Sequence, residues 1–141
     1  MSNPVGWQGA TSRSTGISSA SINTGAGSLG SEIDNATNLD KWMSGEVVFT
    51  PSSTPAEGDV WEIFNLLAVG GTNYEDGGTS VQPVRSPDAS IAVRTVSGQQ
   101  RIAFRNVPIP PFKFKPLLWN GMSYNATGVT LTIYTHKELI S

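Results

Sequence analysis

Between Asp59 and Gly78 the chain reads DVWEIFNLLAVGGTNYEDGG, an almost wholly apolar stretch that ends in a glycine-rich turn. Val60, Trp61, Ile63, Phe64, Leu66, Leu67 and Val69 are β-branched, aromatic or bulky aliphatic, and such residues suit a pleated surface. Read in alternation, one face carries Trp61, Ile63, Asn65, Leu67 and Val69, and the other Val60, Glu62, Phe64, Leu66 and Ala68. Both faces are mainly apolar, so this strand expects cover on both sides. A sheet in a sandwich has one inner face; the second cover must come from an arm, a loop or another subunit.

The same pattern recurs down the chain. Val47 and Phe49 face one way while Glu46, Val48 and Thr50 face the other, and Pro51 to Gly58 is a loop by its proline and small polar residues. Gly70 to Ser90 reads as connection, with Pro83 and Pro87 barring a central strand. Ile91, Val93 and Thr95 then share a face, and a short Ser97-Gly98-Gln99 turn leads into Gln100–Val107, which predicts a hairpin. In that second arm Ile102 and Phe104 point inward, with Arg101, Ala103 and Arg105 outward. Phe112, Phe114 and Leu118 oppose Lys113, Lys115 and Trp119, and Val129, Leu131 and Ile133 alternate cleanly with Thr130, Thr132 and Tyr134. Seven or eight strands without a convincing helix predict an all-β protein, an antiparallel β-sandwich with jelly-roll topology preferred. Trp61, Ile63, Phe104, Phe114, Leu131 and Ile133 are the expected core.

Residues 1–30 are rich in Ser, Gly, Thr and Ala, with Arg13 as the only charged side chain. Val5, Trp7, Ile17 and Ile22 are scattered along them without helical period. They read as an extended N-terminal arm that lies on its own domain or on a neighbour, with residues 31–141 as the sandwich domain. On that reading, deletion of the arm leaves the sandwich folded.

Composition narrows the chemistry. The chain has no cysteine, which excludes disulfides and thiolate metal sites. Charged residues make up 14% of it, well below the ~25% of ordinary soluble domains, and the net charge is −2. A nucleic-acid or anionic-membrane binder is therefore not expected, and no apolar run reaches a membrane-spanning length. His136, the single histidine, sits near the C-terminal end of the sequence without an evident orienting acid. The acid pairs Glu57 with Asp59 and Glu75 with Asp76 fall at turns, where acids are ordinary. Asn73, Glu75 and Asp76 lack the spacing of a calcium loop. Asn35-Ala36-Thr37 and Asn125-Ala126-Thr127 match a glycosylation pattern by coincidence. No catalytic residue, cofactor or metal is expected.

Surfaces are the more promising feature. Between Glu32 and Val84 stand nine acids and one base, Lys41; from Arg85 onward stand seven bases and two acids, Asp88 and Glu138. Either strands from the two halves cancel within one sandwich, or complementary patches join copies or a partner. Trp119 and Tyr134 occupy outward strand positions, with Trp42 and Tyr124 near turns; such aromatics stack sugars or anchor protein interfaces. The expected interface is Val5, Trp7 and Ile17 of the arm, Val60, Phe64 and Leu66 of the second apolar face, and Trp119 and Tyr134. A homo-oligomer, or a protein bound to a larger assembly, is expected, with arm residues on a neighbouring chain.

Four segments carry a resemblance: LGSEIDNATNLDKW (Leu29–Trp42), LLAVGGTNYEDG (Leu66–Gly77), RIAFRNVPIPPFKFKPLLWN (Arg101–Asn120) and LTIYTHKEL (Leu131–Leu139). Together, and above all in the G-T-N-Y-x-D-G turn and the P-x-P-P-x-K-F-K segment, the chain resembles small virion structural proteins of tailed bacteriophages over residues 29–139. Gly70 stands where an Asp is expected before the Gly-Thr-Asn-Tyr run, which argues against a metal role for that turn. The resemblance implies a β-rich structural protein of the virion, made in the host cytoplasm. The favoured type is a capsid cement or decoration protein that contacts the major capsid protein or other virion proteins. A tail or baseplate component, or a carbohydrate-binding module for host attachment, is the alternative.

Overall fold

The structure, a computed structural model, describes residues 6–7 and 9–139, with side chains from 9 to 137. Twelve strands and one helical turn follow one another along the described residues. The first five strands are short: β1 (Gly6–Trp7), β2 (Thr11–Arg13), β3 (Ala20–Ile22), β4 (Gly27–Leu29) and β5 (Ile33–Asp34). After the turn α1 (Asn35–Asn38) come the long strands β6 (Trp42–Pro51) and β7 (Val60–Ala68). Then follow β8 (Ala89–Ala92), β9 (Gln100–Pro108), β10 (Lys113–Asn120), β11 (Ala126–His136) and β12 (Glu138–Leu139). The protein is all-β, as the alternation predicts.

Two antiparallel sheets make the sandwich. One runs β2-β11-β6-β9, with β3 also on β11; the other runs β4-β10-β7-β8, with β5 also on β10. β1 and β12 form a separate two-stranded pair. Met43, Val47, Phe49, Phe104, Leu131 and Ile133 from the first sheet meet Trp61, Ile63, Phe114 and Leu118 from the second in one core. Phe49 meets Trp61 edge to face at 5.4 Å between ring centres. All six residues expected in the core are buried there.

The N-terminal segment is more deeply integrated than a peripheral arm. β2 and β3 supply the outer edge of the first sheet and β4 the outer edge of the second. Ile17 and Ile22 are core residues, 2% and 3% exposed. Between β2 and β3 the buried Thr15 donates from Oγ1 to the carbonyl of Leu131 at 2.6 Å. Arg13 pairs at 3.1 Å with Asp40, which also accepts from the Thr135 hydroxyl at 2.5 Å. These short strands hold through a neighbour's free ladder and a few anchors beside them: Ile22 ends β3, and Ile17 lies in the link between β2 and β3. Pro116, inside β10, has no N–H to give, and the edge is interrupted there: β4 ends at Leu29, β5 begins at Ile33, and Gly30 N–H donates to the Pro116 carbonyl.

The hairpin expected between residues 90–96 and 100–107 is not formed. β8 pairs with β7 in one sheet and β9 pairs with β6 in the other, so residues 93–99 cross the sandwich edge. The side chain of Gln100 substitutes for a hairpin ladder: its Oε1 accepts from Arg94 N–H at 2.9 Å, and its Nε2 donates to the Arg94 carbonyl at 2.8 Å. In α1, Asp34 caps the turn by accepting from Thr37 N–H. The carboxamide of Asn35, fully buried, donates to the carbonyls of Asp40 and Pro110 and accepts from Asp40 N–H.

Candidate interaction surface

The two sheets differ in what lies on their outer faces. Outside the β7–β10 sheet, Phe64, Leu66, Leu117 and Trp119 form a second apolar cluster with Tyr74 packed against it. The cover the sequence called for is the chain's own loop between β7 and β8. A Cβ added at Gly77 would lie 3.0 Å from Leu66, so that glycine lets the loop come down close on the strand. The ammonium of Lys115 stands 4.5 Å from the centre of the Tyr74 ring, a cation over an aromatic face. The Tyr74 hydroxyl is pushed up to about 12 by burial, by its hydrogen bond to Glu32, and by the charges of Glu32 and Asp34.

Arg85 anchors the loop. Its guanidinium reaches Glu75 from Nε at 3.0 Å and from Nη2 at 2.6 Å, lies 3.1 Å from Asp88, and stands 5.7 Å from the centre of the Phe64 ring. Hydrogen bonding to Glu75, against the cost of burial and with help from Asp88, raises its already high pKa further. β8 stops opposite Ile63, and from there side chains continue the ladder on β7. Asn65 N–H donates to Asp88 Oδ2 at 2.6 Å, and Arg85 Nη2 donates to the Asn65 carbonyl at 3.0 Å. Replacing Arg85 by Met should therefore free the loop while leaving the sandwich intact, at a cost of about 1–2 kcal/mol for partly exposed charged hydrogen bonds. Hydrogen exchange at Glu75 N–H, bonded to the Leu67 carbonyl at 3.0 Å, should accelerate; unchanged exchange there would remove Arg85 from this role.

The expected interface residues are thus redistributed. Phe64, Leu66 and Trp119 are buried within the chain, Trp119 being 7% exposed, so they offer a partner no surface while the loop is down. Ile17 is core and Val60 is half-buried. Val5 and the side chain of Trp7 lie outside the described residues. Among the described members of the set, Tyr134 alone is exposed, at 41%. The position of Trp119 on the outward side of β10 follows from alternation; its cover depends on where a distant loop lands.

Among the described residues, none forms such a covering on the outer face of the β11–β6–β9 sheet, and the side chains of that face are half-buried or exposed. Ser12, Tyr134 and Ser44 stand side by side across three strands, followed by a row of Thr132, Glu46 and Ala103 and a row of Thr130, Val48 and Arg101. Arg101 pairs diagonally with Glu46. Arg105 and Asn106 form a bulge opposite Ser44, with Asn106 in the left-handed region at φ 54° and its N–H donating to Ser44 Oγ at 3.0 Å. His136 Nε2 lies 3.2 Å from Ser44 Oγ, and Trp42 is half-buried beside it. Sequence alternation places Tyr134, Arg101 and Arg105 outward; that they share one face is a property of the sheet order.

Charges of the two halves of the chain meet inside the molecule. Arg101 pairs with Glu46, Arg85 with Glu75, Lys113 with Glu32 at 3.8 Å and Lys137 with Asp40 at 3.7 Å. Intramolecular cancellation thus accounts for much of the charge segregation. Asp59, 8% exposed, opposes burial with three donors: Ser123 N–H, Ala56 N–H and the Ser123 hydroxyl. Burial on its own raises its pKa, and these hydrogen bonds bring it below the ordinary value, so this carboxylate acts as a brace between loops. The chain matches no family model, and neither curated proteins nor solved structures give a significant match.

Proposed function

We propose that this protein is a structural component of a bacteriophage virion, of the capsid cement or decoration type, that works by contact with the major capsid protein or another virion protein. The observation that carries the proposal is the asymmetry of the sandwich: one outer face sealed by its own loop, the other open and lined by Tyr134, Arg101, Arg105, Ser44 and Thr132. Tyrosine and arginine are enriched among the residues that carry binding energy at protein interfaces, and an open face that spans four strands suits another protein better than a small molecule. The resemblance of residues 29–139 to small phage virion proteins supports the virion setting. Topology agrees with it. With the separate β1–β12 pair set aside, and β2 with β3 and β4 with β5 each counted as one interrupted strand, the two sheets hold eight strands, ordered 1-8-3-6 in one and 2-7-4-5 in the other. We read that order as a jelly roll, an architecture common in capsid proteins.

Purified protein should add to capsids that lack it, and Tyr134→Ala or Arg101→Glu should each weaken that association about tenfold or more, as loss of an interface anchor does. Undiminished association of the double variant would sink the assignment of this face. Localisation of the chain to the tail would replace cement by the tail reading. Specific hits on a glycan array, lost with Tyr134→Ala, would replace both by a carbohydrate module.

A further inference from the structure

Charge is divided unevenly between the two sides of the sandwich. On the loop-covered side, and in the loop itself, Glu32, Glu62, Glu75, Asp76 and Asp88 outnumber Lys113, Lys115 and Arg85. On the open face the balance is reversed. Among the described residues, the side chains charged at neutral pH at outward positions of β2, β11, β6 and β9 are Glu46, Arg101 and Arg105. A chain of net charge −2 thus turns a basic face outward where it has no cover of its own.

The two arginines are differently disposed. Arg105 is exposed and, among the described residues, has no acid within ion-pair distance, whereas Arg13, Arg85 and Arg101 each have one. It stands in the bulge opposite Ser44, a device that re-aims a strand's side chains. Arg101 does pair with Glu46, but its side chain is 65% exposed, so the pair is hydrated and held weakly. Its guanidinium keeps donors to spare. Arg101 and Arg105 are separated by roughly 12 Å along β9, so carboxylates that match both belong to a surface and not to one small acid.

We infer that the open face docks on an acidic protein surface, whose carboxylates take Arg105 outright and share Arg101 with Glu46, while Tyr134 packs beside them. This assignment rests on the Tyr134 face being the interface of a virion protein, and it names the chemistry of the partner. Protein carboxylates fit better than a nucleic acid. Affinity for a polyanion grows with each phosphate neutralised, and one unpaired guanidinium beside one shared one is too sparse for that. Glu46 acts here as a brake on the contact: it cancels part of the charge that would steer an acidic partner in.

The test joins two measurements on the full chain. In the first, addition to capsids lacking it is compared for wild type, Arg105→Glu and Glu46→Gln. Arg105→Glu should weaken association about tenfold, and Glu46→Gln should tighten it about threefold, the opposite of what loss of a mere structural contact does. Wild-type association should also fall as salt rises from about 0.05 M to about 0.5 M, where exposed charges are screened. In the second, tetraglutamate should shift the backbone amides of Arg101, Arg105 and Tyr134, and tetralysine should leave them in place. Wild type that adds to capsids, with Glu46→Gln unchanged or weaker, overturns the acidic partner and leaves the virion reading standing. Wild type that adds to no capsid removes the virion reading, and the tetraglutamate titration then decides the acidic complement by itself. A tetrathymidylate that moves these amides more than tetraglutamate does makes nucleic acid the occupant and overturns the inference. Sedimentation of the chain as a dimer that Tyr134→Ala breaks puts a second copy on the face and overturns it equally.

Discussion

Gly45→Ala should be among the most damaging single substitutions in the protein, costing about 3 kcal/mol, the upper part of the range for overpacking a core. A methyl group there would lie 1.8 Å from the backbone oxygen of Thr132 and 2.9 Å from Cζ of Phe104. Neither obstacle can step aside. β6 is bonded on one side to β11 and on the other to β9, and Phe104 lies directly across from Gly45, filling the space a side chain would need. Chemical denaturation is the measurement: the midpoint should fall sharply while the slope is kept. A midpoint within error of wild type would mean that β6 and β11 are not so closely apposed.

Removal of residues 1–30 should abolish cooperative folding, where a dispensable arm would leave it intact. The deletion takes away Ile17 and Ile22, each worth roughly 1.5–3 kcal/mol of burial, out of a total stability that for a domain of this kind is about 5–15 kcal/mol. It also strips β2 and β3 from β11 and β4 from β10, which turns two central strands into bare edges. The buried Asp40 loses Arg13 as well. Far-ultraviolet circular dichroism with a thermal melt decides the matter; a truncated chain that melts in one sharp transition near the wild-type temperature would restore the arm to the periphery.

How far the sequence discloses the molecule can be judged from particular strands. β7 and β11 are legible because strict alternation assigns each side chain to a face, and the demand of β7 for cover on both sides follows from its composition alone. The identity of that cover does not follow. It rests on Gly77 coming down on Leu66 and on Arg85 reaching three groups far apart in the chain, and neither leaves a periodic trace. The expected hairpin fails for a related reason: local turn chemistry reports that the chain reverses, not which of two sheets receives the next strand. The N-terminal edge strands are hidden because they are two or three residues long, too short for a periodic pattern, and Ile17 or Ile22 among serines and glycines looks incidental. Asn65 is the opposite case, visible as the one polar residue on an apolar face, while its partners Asp88, Arg85 and Met43 are supplied only by the fold.

The loop folded down on Phe64, Leu66, Leu117 and Trp119 also sets the valency of the molecule. A subunit with two adhesive sheet faces can link to a neighbour on either side, and such head-to-tail contacts propagate into fibres unless they close. Here the second face is occupied from within, the β8 edge is only four residues long, and the β9 edge is bent by its bulge and ends in Pro108. On the proposed reading of the Tyr134 face, what remains among the described residues is a subunit with one adhesive sheet face. Such a subunit can cap a surface or pair with one twin across that face, but it has no second face with which to extend a lattice of its own, and growth stops at the layer to which it attaches.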